Sequence, residues 1–265
     1  MDDVKSPQKP GPFGDHVTKA CINLHAVLSN LPELCAMDET ARELIRGNDL
    51  TMQLAIRGGE AAHLIFRDGG CEYRPGPARK ADISLSFKNA EHLNKMFDGK
   101  ALPGVKKGLT RIKFLQDNFT KLTDRLAYFL KPTAELLEDE VYFKINTYLT
   151  FHTAFFALAQ IANNDRIGKM NAYSVPDGIV NVVVADGPAL HIAVDKQHRF
   201  TAEPGAAETP RAQMIFSGLK EAAGILGGKV DFYTAVGREY LSIGGYIPMI
   251  DNASRILMQV AAYLQ

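Results

Sequence analysis

The chain has 265 residues, 30 basic and 30 acidic, a balance that leaves no net field to draw it to nucleic acid or to an anionic surface. Its 46% hydrophobic and 23% charged content is that of a globular protein able to bury a core in each of about two domains, which excludes extensive disorder. The three cysteines, Cys21, Cys35 and Cys71, have no CxxC spacing that would clamp zinc, and fit reduced thiols in a cytoplasmic protein.

The start, MDDVKSPQKPGPFGDH, places charge, Pro and Gly where a secretory leader needs an apolar run. Nothing later reaches the roughly 18 apolar residues of a membrane span. A disordered lead over residues 1–14 and no stable membrane insertion are expected. From Asp15 to Gly47, Val17, Ile22, Leu24 and Leu28, then Leu34, Met37, Ala41, Leu44 and Ile45, recur at helical spacing, which predicts two helices broken at Pro32. Asp38 suits the second helix's start and Gly47 its left-handed stop.

The period then changes to two. TMQLAIRGGEAAHLIFRDGGCEYRPG reads as strands joined by tight turns at Gly58-Gly59 and Asp68-Gly69. In ADISLSF, Ile83, Leu85 and Phe87 alternate with polar residues, so one face is buried and one wet. NAEHLNKMFDGK is a short helix stopped by Gly99, and TRIKFL a further strand. NFTKLTDRLAYFL is a helix with Phe119, Leu122, Leu126 and Phe129 on one stripe, ended by Pro132.

The second half retraces this order. A helix from Ala134 to Asn163 leads to strands GIVNVVVA, ALHIAV and AQMIFS, the short helix LKEAAGILGGK, the strand EYLSIG and the closing helix NASRILMQVAAYL. In the long helix, Val141, Ile145, Tyr148, Leu149, His152, Phe155, Phe156 and Ala159 form a stripe for the second module's sheet to cover. Phe143 and Phe151 are left for the first module, a homodimer partner or a ligand, and packing between the modules is the expectation.

A shift of about 129 positions carries Phe97 onto Leu226, Gly99 onto Gly228, Lys100 onto Lys229, Ile112 onto Leu241 and Phe114 onto Ile243. A duplicated active site leaves matching polar residues, and here almost none match: apart from the lysine pair, the shared positions are apolar residues and helix-ending glycines. Two apolar-cored modules are predicted, 15–132 and 133–265. Each is an α+β unit, a mostly antiparallel five-stranded sheet with helices packed on one face.

This order of a Gly-turned hairpin, the strand KADISLSF, a short helix closing in DGK, GLTRIKF and a final amphipathic helix resembles the sterol carrier protein 2 (SCP2) domain family. AQMIFSGLKEAAGILGGK and GREYLSIGG carry the likeness in the second copy, so that it covers about residues 35–130 and 160–265. The resemblance implies an apolar tunnel between sheet and C-terminal helix that binds a lipid, a fatty acyl chain or acyl-CoA. The first copy departs from the pattern, with Leu115 and Gln116 where the second has Gly244-Gly245, which implies a narrowed or reshaped tunnel mouth. The ending AAYLQ lacks the Ser-Lys-Leu peroxisomal signal of some members.

The candidate ligand-binding residues are Ile83, Leu85, Phe87, Ile112, Phe114, Leu122, Leu126 and Phe129 in the first copy. In the second they are Met214, Phe216, Leu226, Phe232, Leu241, Ile243, Met249, Ile256 and Met258. The competing reading is a close-packed core, against which the methionines stand as adaptable contacts for varied apolar guests. The function expected is non-catalytic binding or carrying of a hydrophobic small molecule such as a sterol, fatty acid or acyl-CoA. The alternatives are an enzyme or enzyme subunit acting on a lipid-like substrate, and an interaction module with filled tunnels.

No cofactor or metal is expected. Ala223 and Val230 stand where a phosphate loop needs Gly and Ser or Thr. His191 and His198 near Asp195 lack a third ligand, and His152 reads as a satisfied, partly buried histidine. Lys106, Lys107, Arg111 and Lys113 suit either an anionic head group or solvated surface.

Overall fold

The computed structural model describes residues 15–264, so the lead expected over residues 1–14 lies outside the described residues. α1 (His16–Ile22) is capped by Asp15, whose carboxylate accepts the Thr18 N–H at 2.7 Å. It continues through a π turn at Asn23–Val27 and a 3-10 turn at Leu28–Asn30 into α2 (Leu31–Met37). Pro32, expected to break the helix, sits in the first turn of α2, where a missing N–H is tolerated. The break falls at Asp38, which caps α3 (Glu39–Ile45) by accepting the Ala41 N–H at 2.7 Å.

The first half continues as β1 (Leu50–Ile56), β2 (Ala61–Arg67), β3 (Gly70–Pro75), β4 (Ile83–Phe87), α4 (Ala90–Phe97), β5 (Gly104–Lys107) and α5 (Thr120–Leu130). Then come α6 (Glu140–Asn164), α7 (Arg166–Ala172), β6 (Gly178–Val184), β7 (Ala189–Val194), β8 (Phe200–Pro204) and β9 (Ala212–Phe216). The chain closes with α8 (Leu219–Leu226), α9 (Phe232–Gly237), β10 (Leu241–Gly245), α10 (Ile247–Leu257) and α11 (Val260–Leu264).

Each half forms one five-stranded sheet, in the orders β3-β2-β1-β4-β5 and β8-β7-β6-β9-β10. In both, the central pair alone is parallel, β1 with β4 and β6 with β9, and the other pairs are antiparallel. One face is buried, as the alternation in β4 requires: Ile83, Leu85 and Phe87 are covered and the serines between them are not. The match between halves reaches the turns, where Gly99 and Gly228 both hold φ at 71°. It also includes polar contacts. His63 Nδ1 lies 3.0 Å from the Gly76 carbonyl and His191 Nδ1 2.8 Å from that of Gly205. These histidines pin the exit of the third strand in each sheet, so the duplicated polar group is structural.

The fifth strand corrects the sequence reading. TRIKFL is not a strand: β5 lies earlier, and Leu109–Arg111 is a 3-10 turn followed by a π turn at Phe114–Phe119. Gly108, at φ 95°, ends β5 and packs so close that a Cβ would stand 2.9 Å from Ile83. The second half inserts α9 before β10. The shift that pairs Ile112 with Leu241 and Phe114 with Ile243 therefore fails at this point.

The cores of the two halves share two helical elements. In α6, Tyr142, Ile145 and Leu149 belong to the first core, and Phe151, Phe155, Leu158 and Ile161 to the second. In the first helical run, Ala20 and Leu24 face one core, Ile22 and Ala26 the other. The stripe expected to face the second sheet is thus divided along the helix. Val141 is exposed, and Phe151, expected elsewhere, packs 6.2 Å from the Phe216 ring. The reason is that α6 is enclosed by both modules, so height along the helix selects the module as much as angle around it. Among the described residues no helix is long and apolar enough to cross a membrane.

Candidate functional site

Where the helical run, α6 and α7 meet the outer strands β3 and β8, they leave a cleft of about 970 Å³ between the two modules. Cys71–Tyr73 and Phe200–Pro204 line it in unbroken succession, so the strand edges, not the sheet faces, form its walls. β3 and β8 are equivalent terminal strands of the two sheets, and the fold brings them to one place. The floor is α6, which contributes His152, Phe156 and Gln160, one residue per helical turn on a single stripe, and then Ala162, Asn163 and Asn164 at its end. His25, Ser29, Pro32 and Glu33 come from the helical run, and Ala172 and Tyr173 from the end of α7. Buried Asn30 fixes the run to the floor by donating to Thr153 Oγ1 at 2.8 Å.

Burial sets the chemistry of the polar lining. His25 Nδ1 lies 2.6 Å from the Tyr73 hydroxyl and its Nε2 3.3 Å from Glu60. Burial lowers the His25 pKa against the pull of Glu60, so the ring is neutral, with Nε2–H donating to the carboxylate and Nδ1 accepting the phenol. The Tyr73 phenol is pushed up by burial and by Glu60. Cys71 is pushed up by its hydrogen bond with Cys35 and by burial, which keeps it a thiol. His152, tilted against Phe151 and edge-on to Phe156, is lowered to about 4 by burial alone, and no described residue hydrogen-bonds its ring. Glu33 is raised by burial, with no partner among the described residues to counter it. The imidazoles, the phenol and the thiol of the site are therefore un-ionised and Glu33 is a carboxyl group without a partner, an arrangement suited to enclosing a guest and poorly suited to nucleophilic attack.

The sequence-predicted residues lie elsewhere. Ile83, Leu85, Phe87, Phe114, Leu122, Leu126 and Phe129 are buried together in the first core. Met214, Phe216, Leu241, Met249 and Ile256 are buried in the second, with Leu226, Phe232 and Ile243 packed on its margin. The hollow between the second sheet and its helices, beside Met214, has room for about 10 Å³, one water molecule's worth. Ile112 and Met258 need correction, because at 42% and 82% exposure they line no interior. Ile112 follows a 3-10 turn and so leaves the alternation that strand geometry gave it, and Met258 follows the last turn of α10. None of the predicted residues lines the cleft. The aromatic surplus of α6 was the one sequence signal for it, but Phe156 and His152, which line the cleft, were expected to be covered by the second sheet.

No protein-family model matches the chain, and no curated protein does. Among solved structures, the chain is similar to sterol carrier protein domain 2 of Helicoverpa armigera, at 16% identity and a TM-score of 0.34 over 43% of this chain and 89% of that one. It is similar to a Thermus thermophilus conserved hypothetical protein described as possibly a sterol carrier protein, at 19% identity and a TM-score of 0.32 over 44% and 92% of the two chains. It is also similar to a sterol carrier protein 2 crystal structure, at 18% identity and a TM-score of 0.30 over 44% and 97%.

Proposed function

We propose that this protein is a tandem pair of SCP2-like modules, 15–132 and 133–265, that binds or carries a hydrophobic small molecule without covalent chemistry, and that the cleft between the modules is its binding site. The single observation that carries this reading is the cleft of about 970 Å³, placed where two sheet edges and three helical segments converge. Burying a chain of ~16 methylenes yields about 13 kcal/mol at ~0.8 kcal/mol each. That exceeds the lower part of the roughly 4–15 kcal/mol lost on association, so apolar contact alone can support useful affinity. The neutral states of His25, His152, Tyr73 and Cys71 favour a carrier over an enzyme.

Fluorescence of the neutral probe N-phenyl-1-naphthylamine, titrated with the full-length protein, tests the site. Ala202, half-buried on β8, lines the cleft, and Ala202→Trp is expected to fill it and weaken probe binding about tenfold or more. Native mass spectrometry after gentle purification is expected to show a co-purified apolar guest. Undiminished probe binding in the variant places the site elsewhere, and a protein that takes up neither probe nor guest is not a carrier.

A further inference from the structure

We infer that the cleft selects a guest with an apolar body and a protonated amine, and discriminates against an acid of the same shape; this rests on the carrier reading above. The charged groups around the cleft divide by depth. Those at the rim are exposed and mostly answered: Glu72 pairs with Arg74 at 2.8 Å, Arg199 with Asp195 at 3.0 Å, and Glu60 faces His25 at 3.3 Å. Lys169 is an exposed cation on α7. Glu33 differs from all of these. It is half-buried on α2, lines the cleft, and has no cation or donor against it among the described residues.

A carboxylate held away from water without a partner is costly, and an ammonium brought in by the guest relieves that cost. A carboxylate guest does the reverse, placing a second negative charge near the first with less water to separate them. The rest of the lining favours the same sign. His152 is neutral and unpartnered on the adjoining stripe of α6, free to accept an ammonium N–H. Phe156 and Tyr73 add aromatic rings to the lining, a side-chain type that attracts cations. Among the exposed residues lining the cleft carboxylates also outnumber cations, with Glu60, Glu72 and Glu203 set against Lys169 and Arg199. The field at the entrance thus agrees with the contact inside.

The test is calorimetric titration of the full-length protein at neutral pH with decylamine, decanol and decanoate, each below its micelle-forming concentration. These probes share one apolar body and differ in charge. Decylamine is expected to bind about tenfold tighter than decanoate or better, with decanol between them. Glu33→Gln keeps the side chain's shape and removes its charge, and is expected to lower the amine-to-alcohol affinity ratio about threefold or more. Decanoate binding as tightly as decylamine, or an amine preference unchanged in Glu33→Gln, overturns the inference while binding itself upholds the carrier reading. If none of the three probes binds, the carrier reading fails and the inference fails with it.

Discussion

At the scale of single residues, burial disfavours the charged form of several cleft side chains, and His152 is the clearest of them. Burial lowers its pKa from 6.5 to about 4. Between those values the unfolded chain binds a proton that the folded chain refuses. Stability is therefore full above about pH 6.5 and falls as pH is lowered toward 4, by an amount of order 2 kcal/mol once partial exposure is allowed for. His152→Phe, a change of similar shape, is expected to flatten this dependence. Urea unfolding at about pH 7 and about pH 4.5 measures it, and an equal loss in both proteins would mean that the imidazole titrates freely in the folded state.

The same residue shows how far side-chain reading from sequence went. Apolar neighbours in YLTFHTAFF correctly imply a partly buried ring, but they imply a satisfied one, and the ring has no hydrogen-bond partner among the described residues. Periodicity reports which side chains leave water. It does not report whether they leave it for a packed core or for a cavity wall. That is why Phe87, Leu122 and Met249, read as ligand contacts, are core residues, whereas Tyr73 and Ala202 on the cleft carried no signal.

At the scale of elements, strands with clean alternation were legible and junctions were not. ADISLSF became β4 and AQMIFS became β9, because each has a buried and a wet face. The fifth strand of the first half was misplaced because Ile112 and Phe114 sit two apart and so mimic a strand's alternation, whereas in the helical turns they occupy they point to opposite sides, Ile112 exposed and Phe114 buried. The junction of α6 and α7 was equally opaque. Asp165 ends one helix and caps the next, accepting the N–H groups of Ile167 and Gly168 at 2.8 and 2.7 Å and the Tyr263 hydroxyl at 2.6 Å. This folds α7 back on α6 so tightly that a Cβ at Gly168 would stand 2.2 Å from the Ile161 carbonyl oxygen. Backbone cannot yield as a flexible side chain can. Gly168→Ala is expected to cost about 2–3 kcal/mol. Gly237→Ala, where an added Cβ meets nothing within 4 Å, is expected to change stability by less than about 0.5 kcal/mol. Paired denaturant curves decide it, and similar midpoint shifts for the two variants would show that α7 does not depend on this close approach.

At the scale of the whole molecule, the repeated unit and the cooperative unit differ. The repeat is visible in sequence and returns as two sheets of the same strand order. The physical core of the first half, however, includes Tyr142, Ile145 and Leu149 of α6, and the core of the second includes Ile22 and Ala26 near the chain's start. Each core therefore takes apolar side chains from the other half's stretch of sequence, and separating the halves exposes both. Losing three large apolar side chains at about 1.5–3 kcal/mol each removes about 4.5–9 kcal/mol, comparable with the lower part of the roughly 5–15 kcal/mol that stabilises a typical domain. A fragment of residues 1–132 is accordingly expected to show poor amide dispersion and no cooperative melt, while the full chain melts in a single calorimetric transition. Two resolved transitions, or a well-dispersed spectrum from the fragment, would mean that α6 only rests against the first sheet. The cleft walls would then belong to two independently folding bodies instead of one frame, and nothing would hold β3 and β8 at the separation a guest requires.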